Sequence, residues 1–289
     1  MKFELLGLYA ETSIHAGAGT STGVIDLPIM REAHTGWPCV FGPAVKGALR
    51  CKAEQTKLDK DNLADIFGPD TKNAADHAGA LAVGDARLLL LPVRSLTSHF
   101  KWVTCPALLN RATADAKRMG KTVPAFNLRE IKQDEALIFD RDDALYLEEF
   151  HFNAKQANLT NLIDWLAAFV PDDADFKQRL QKQLVIVNDD LFAHLAQYAT
   201  PVAPHIAIEN KTKTTVGGAL WYEETLPAET LLYIALAASD SRKKDVQVKA
   251  EKILEQTLAL FPKNAPYLQV GGNETVGMGW CRVNAVVGA

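Results

Sequence analysis

Residues 41–50, Phe41-Gly42-Pro43-Ala44-Val45-Lys46-Gly47-Ala48-Leu49-Arg50, decide how the N-terminal part of this chain folds. Phe41-Gly42-Pro43 halts an extended segment, and Pro43 suits the first helical position, where its fixed φ helps and its missing N–H costs nothing. A helix is therefore predicted from Pro43. Its first turn, Pro43 to Lys46, carries no carboxylate, so the free N–H groups and positive dipole end stay open to an external anion. Val45, Leu49 and Ala53 form the apolar stripe. Lys46 and Arg50 fall four apart on another face, with Lys57 about two turns further along. Two readings of that face stand side by side: a solvated basic face, or a phosphate site.

Working upstream, residues 23–36 (GVIDLPIMREAHTG) read as a loop, and Leu27-Pro28 favours extended backbone there. Asp26 stands between Ile25 and Leu27. Alone it reads as a turn former or helix-cap acceptor; its company is His15, Arg31, His34 and the following Lys46, a carboxylate among cations and imidazoles.

Composition bounds the rest. With 289 residues and 48% hydrophobic content the chain buries a full core, as one large or two small domains. The net charge of −4 excludes indiscriminate polyanion binding by the whole surface, so any nucleic-acid contact is local. Basic residues cluster at Arg31, Lys46, Arg50 and Lys52, at Arg111, Lys117, Arg118 and Lys121, and at Lys211 and Lys213; acidic ones gather in residues 134–149 and 172–175. No apolar run reaches about 18 residues, and MKFELLGLYAETS has no basic start followed by an apolar stretch and a cleavage site. A cytoplasmic protein with no membrane partner is expected. Cys39, Cys51, Cys105 and Cys281 form no CxxC pair, which argues against structural zinc and a disulfide framework and for buried thiols.

Along the chain, residues 2–13 alternate as a strand. Residues 61–67 read as a short helix ended by Gly68-Pro69, 71–79 as a polar turn-rich segment, and 81–93 as a strand with a bulge at Gly84-Asp85. Residues 104–119 read as a helix stopped by Gly120. Residues 121–141 have mixed character, and 143–153 read as one strand. Helices are expected in LTNLIDWLAAFV, in 173–183 and in 189–198. Residues 205–208 and 218–223 flank a polar hairpin arm. A strand at 230–237, a helix at 245–260 and strands at 269–272 and 279–287 complete the pattern. The order β, α, α, β at the start and β, α, β, β at the end fits an α+β, ferredoxin-like core assembled from both ends, with the middle inserted.

The last two strands enclose Gly271-Gly272-Asn273-Glu274-Thr275-Val276-Gly277-Met278-Gly279, four glycines in nine residues. Such a loop permits positive φ and close backbone approach, and can offer N–H groups to a phosphate; a plain hairpin bulge explains it equally well. No Gly-Lys-Ser/Thr follows, and a strand rather than a helix comes next, which excludes Walker A and dinucleotide fingerprints.

FGPAVKGALR and GGNETVGMGW together resemble the RAMP proteins of type III CRISPR ribonucleoproteins. IDLPIMREAHTGWP, with ALWYEETLP at residues 219–227, resembles the Cmr-type (III-B) backbone subunit more specifically. The resemblance implies a single RAMP domain over residues 1–289, with an RNA-recognition-motif-type palm from about 1–60, 80–95 and 200–289. Inserted finger and thumb regions would occupy about 61–80 and 96–199, with a helical finger and a β-hairpin thumb; residues 121–138 and 210–216 are the two candidate thumbs. It also implies that copies stack into a helical filament with other subunits along a guide CRISPR RNA and cut complementary target RNA at regular intervals. On that resemblance Asp26 is required for cutting and holds a divalent metal, Mg²⁺ or Mn²⁺, while His15, Glu223 and Glu224 lie near the cut. Arg31, Lys46, Gly47, Arg50, Gly271, Gly272, Asn273, Thr275, Gly277, Met278 and Gly279 would contact RNA. Cleavage through the 2′-OH needs a base or metal-bound carboxylate and cations around the phosphorane, and the 15–50 segment supplies both. A non-catalytic assembly subunit of the same architecture is the alternative, and a small-molecule enzyme with a phosphorylated ligand in the glycine loop is the reading from another class.

Overall fold

The computed structural model of the chain describes residues 1–56, 58–70, 76–140, 144–170, 174–244 and 247–286. Lys57, the first part of the 71–79 segment, Asp172, Asp173 and the start of the helix expected at 245 lie outside the described residues. The first third of the chain forms β1 (Lys2–Ala10), β2 (Cys39–Val40), α1 (Gly42–Gln55), α2 (Lys60–Phe67), β3 (Leu81–Val83) and β4 (Ala86–Arg94). The middle forms β5 (Phe100–Thr104), α3 (Pro106–Arg118), β6 (Glu135–Ile138), β7 (Leu145–Leu147), β8 (Phe150–Gln156), α4 (Thr160–Ala167), α5 (Ala174–Gln183), β9 (Leu184–Ile186) and α6 (Asp189–Tyr198). The last part forms β10 (Val202–Ile208), β11 (Thr215–Glu224), β12 (Leu231–Ala238), α7 (Ala250–Leu258), β13 (Tyr267–Gln269) and β14 (Trp280–Ala285).

β1 sits inside a mixed sheet ordered β13-β14-β1-β12-β4-β5-β9-β6-β8-β7, antiparallel to both β14 and β12. Its alternation explains why: Leu6, Leu8 and Ala10 enter one apolar cluster, and Leu5 and Tyr9 enter the other. Gly7, between them, allows a close approach, since a Cβ there would lie 1.9 Å from the Phe169 carbonyl oxygen. The pairs β5/β9 and β6/β8 are parallel, and β10 with β11 forms a separate two-stranded hairpin. Among the described residues no helix is long and apolar enough to cross a membrane.

α1 starts where Pro43 predicts, and Val45, Leu49 and Ala53 are fully buried. Its N-terminus is not open, however. The Asp85 carboxylate, from the break between β3 and β4, accepts the Gly42 N–H at 2.7 Å, and the Phe41 carbonyl accepts the Ala44 N–H at 2.9 Å. An external anion at the end of this helix is therefore displaced by an internal one.

Three further differences have local causes. Residues 143–153 hold the hairpin β7/β8, because Glu148 takes φ 50° while its N–H bonds the Arg94 carbonyl at 3.0 Å and its carboxylate meets the Arg94 guanidinium. α7 begins only at Ala250, whose N–H is accepted by Asp240 at 2.9 Å. Residues 121–130 do not project as a hairpin: Val123, Phe126 and Leu128 pack on the second cluster, and Phe126 stacks on Trp165 at 5.9 Å. Of the cysteines, Cys39, Cys105 and Cys281 are buried as expected, whereas Cys51 is exposed on α1.

Candidate functional site

The extended backbone imposed at Leu27-Pro28 lays the Asp26 loop along the root of β11. Leu27 donates its N–H to the Tyr222 carbonyl and accepts from the Glu224 N–H, both at 3.0 Å. One Asp26 oxygen, Oδ2, accepts the Tyr222 N–H at 2.8 Å, and the carboxylate is only half-buried. The loop conformation thus holds one oxygen of Asp26 and leaves the other without a hydrogen-bond partner among the described residues.

His15 is buried against the end of the same strand, with Nδ1 2.8 Å from the Glu224 carbonyl oxygen. A carbonyl only accepts, so Nδ1 carries the hydrogen and Nε2 is the nitrogen left for other chemistry. Nε2 points over Gly17, where a Cβ would come within 2.8 Å. Glu223 Oε1 lies 3.9 Å from His15 Nδ1 and accepts the Asn273 side-chain amide at 2.6 Å.

Neither carboxylate of the Glu223-Glu224 pair faces solvent; they are 5% and 2% exposed. Successive side chains on β11 point to opposite faces, and the Asp26 loop and the glycine loop cover them. Glu224 is occupied internally: it accepts the Arg31 guanidinium, the Thr200 hydroxyl at 2.6 Å and the Ile29 N–H at 3.0 Å. Arg31 also donates to the carbonyls of Ala196 (2.7 Å) and Gly36 (2.9 Å), so its guanidinium is turned into the protein rather than toward RNA. Arg50 is spent in the same way, on Asp70 at 2.7 Å, Glu54 at 3.1 Å and the Gly68 carbonyl at 3.0 Å. Arg111 donates from a single nitrogen, Nη1, to both oxygens of Glu32, and His34 is exposed with its Nε2 4.0 Å from Glu32.

Lys46 remains. Burial lowers the pKa of its ammonium, and the neighbouring Arg242 and Arg50 cations lower it further. Among the described residues neither Lys46 nor Arg242 has a carboxylate partner, and cations crowded together favour a bound anion. Arg242 is a residue that sequence reasoning missed: only folding brings the segment after β12 to the side of α1.

On a different face of α1 from Lys46, a groove of about 400 Å³ runs between the helix, the 16–17 turn and the glycine loop, lined by Gly17, Ala44, Gly47, Ala48, Gly271 and Gly272. A Cβ on Gly47 would meet nothing within 4 Å, so this side of α1 is open. Gly271 has φ 89° and packs on the His15 carbonyl, while Gly272 donates its N–H to that same carbonyl at 2.8 Å. Thr275 lies exposed in a single 3₁₀ turn, Glu274–Val276, bounded by Asn273 and Gly277, both with positive φ. Met278 reaches back to Asn273, and Gly279 donates to the Ser13 carbonyl at 2.8 Å. Gly279→Ala will place a Cβ 2.1 Å from the Val270 oxygen at a φ of 83°. A loss of about 1–3 kcal/mol is expected in chemical denaturation, and an unchanged midpoint would show that the loop has room to shift.

A mixed α+β sheet carrying a glycine-flanked groove and a strand-docked acidic loop is the architecture of one superfamily of proteins. The model of the RAMP superfamily matches residues 8–282, and the chain belongs to that superfamily. Within it, a Pyrococcus furiosus protein named CRISPR system Cmr endoribonuclease Cmr4 is 34% identical over 290 residues, covering 98% of this chain and 95% of its own. A Saccharolobus solfataricus protein named CRISPR system CMR subunit Cmr4 is 25% identical over 297 residues, covering 93% of this chain and 92% of its own. The crystal structure of oligomeric Cmr4 from Pyrococcus furiosus superposes with a TM-score of 0.75 at 28% identity, covering 99% of this chain and 98% of that one.

Proposed function

We propose that this chain is the repeating backbone subunit of a type III-B CRISPR ribonucleoprotein, which holds guide RNA and cuts complementary target RNA. The observation that carries this reading is the half-held Asp26 carboxylate on a chain 34% identical, over nearly its full length, to a protein named an endoribonuclease. The oligomeric state named for the Pyrococcus furiosus crystal structure supports assembly of copies with one another; their place along the guide, beside other subunits and in the cytoplasm, is part of the proposal. The strand order β14-β1-β12-β4, with α1 following β1 and α7 following β12, supports a ferredoxin-like palm. The helical finger then belongs to the segments between palm strands, and the thumb is the β10/β11 hairpin, which includes the 210–216 candidate. Ile206, Leu220 and Tyr222 are exposed on that hairpin and supply an apolar wedge that unstacks a base of the guide–target duplex.

In this mechanism the open oxygen of Asp26 accepts the hydrogen of a target 2′-OH. The 2′-oxygen attacks the adjacent phosphorus and the 5′-oxygen leaves, giving a 2′,3′-cyclic phosphate and a 5′-OH. DNA survives because it lacks the nucleophile. As an imidazolium, with hydrogens on both ring nitrogens, His15 either protonates the leaving oxygen from Nε2 or donates a hydrogen bond to the phosphate. Asp26 is also the residue that would hold Mg²⁺ or Mn²⁺; one carboxylate with waters and RNA phosphates is a donor set that suits Mg²⁺, which would supply charge neutralisation at the phosphate. Among the described residues no three His, Cys, Asp or Glu side chains gather to hold an ion without RNA. Sequence recognition belongs to base pairing; the glycine-flanked groove and, on another face of α1, Lys46 with Arg242 contact the guide backbone.

The Tyr222 N–H bond also favours a second reading, in which Asp26 braces its loop in a non-catalytic assembly subunit. Incubating the assembled complex with labelled complementary RNA and Mg²⁺ or Mn²⁺ separates the two: cutting at regular intervals supports the first, and intact bound RNA the second. For guide binding, Lys46→Ala will weaken RNA binding without regard to sequence and lower the salt slope of log K by about one. An unchanged slope in a titration of binding against salt would return α1 to a solvated basic face.

A further inference from the structure

We propose that Asn273 is a positioning residue for cleavage: it fixes the Glu223 carboxylate beside His15, so that the loop flanking the guide groove also sets the geometry of the cutting site. The proposal rests on the functional reading above. Its basis is an asymmetry between two adjacent buried carboxylates. Glu224 has the Arg31 guanidinium, a hydroxyl and a backbone N–H. Glu223, equally buried, has among the described residues one side-chain hydrogen bond, from Asn273 Nδ2 at 2.6 Å, and one nearby imidazole, that of His15 at 3.9 Å. A buried carboxylate with a single donor depends on that donor for its orientation.

The donor itself is fixed from several sides. Asn273 has φ 60°, a left-handed conformation that asparagine tolerates better than most residues. The glycine before it bonds the His15 carbonyl at 2.8 Å, and its own amide also reaches Met278 Sδ at 3.6 Å. The residue before Glu223 is Tyr222, whose N–H holds Asp26. One loop thus touches the His15 backbone and the Glu223 side chain, and through the root of β11 it is tied to Asp26.

The test compares the wild-type complex, assembled on its guide, with complexes carrying Asn273→Gly and Asn273→Asp. Guide retention across a salt series, cutting rate at saturating labelled complementary RNA, and the target concentration for half-maximal rate are measured for each. Asn273→Gly permits the positive φ and removes the side-chain amide with its contacts to Glu223 and Met278; the saturating rate is expected to fall about 10- to 100-fold, the range seen when an orienting partner is removed. Rates are expressed per guide-loaded complex at saturating target, which separates loss of cutting from any loss of RNA binding by the loop. Asn273→Asp keeps the size and the backbone preference but turns an acceptor toward Glu223, and is expected to fall at least as far. Wild-type rates in both variants would overturn the proposal, as would a loss of cutting that tracks loss of guide, which would make Asn273 a guide contact. A wild-type complex that leaves the target intact would instead overturn the functional reading itself, and the proposal with it.

Discussion

Asp26→Asn will stop target cutting while guide and target binding stay intact. The substitution keeps an oxygen able to accept the Tyr222 N–H at 2.8 Å, so the loop remains docked on β11. It removes the negative charge and puts an amide donor in place of the second carboxylate oxygen. An amide neither takes a proton from a 2′-OH nor holds a divalent cation well, and loss of such a group costs roughly 10²- to 10⁴-fold in rate. The measurement is a time course of labelled complementary RNA with the assembled variant complex, beside a binding titration of the same RNA. Equal cutting by the variant would leave Asp26 with only the bracing role.

The second large effect concerns stability. Arg31→Ala leaves Glu224, 2% exposed, without its cation, and Glu224→Ala leaves the Arg31 guanidinium facing a hole. Breaking a buried pair by removing one partner costs about 3–5 kcal/mol, and either variant should lose stability on that scale in denaturant unfolding. Replacing both residues by methionine should recover much of the loss, because no charge is then stranded. The salt slope of RNA binding by folded Arg31→Ala should match the wild type. A variant with unaltered stability and a shallower slope would restore Arg31 to the RNA contacts expected from sequence.

That reversal illustrates what the sequence makes legible. The start of α1 is readable because Pro43 and the Val45, Leu49, Ala53 stripe act locally, and β1 is readable because its apolar residues alternate over nine positions. The partner of the α1 terminus is not, since Asp85 stands 43 residues downstream and enters only through the β3–β4 break. Arg31 and Arg50 look alike as free basic residues until folding supplies acceptors 193 and 20 positions away. The strand β9 spans three residues, too few for any periodicity to show. For the site, the glycine loop announces itself by composition, whereas the contact of Asn273 with Glu223 crosses 50 positions and has no local signature.

The docking of the Asp26 loop has one more consequence. The Asp26 side chain and both backbone hydrogen bonds of Leu27 run to β11, a strand of the two-stranded hairpin, while further along the loop the Met30 carbonyl accepts the Cys39 N–H of β2 at 3.1 Å. On the proposed reading, the carboxylate that cuts and the apolar strand face that pries a base out of the stack are both carried by one hairpin. If the hairpin tilts to admit a target strand, Asp26 travels with it. The interval between the displaced base and the severed bond then works like a fixed gauge, carried by each copy and insensitive to how far the arm has swung.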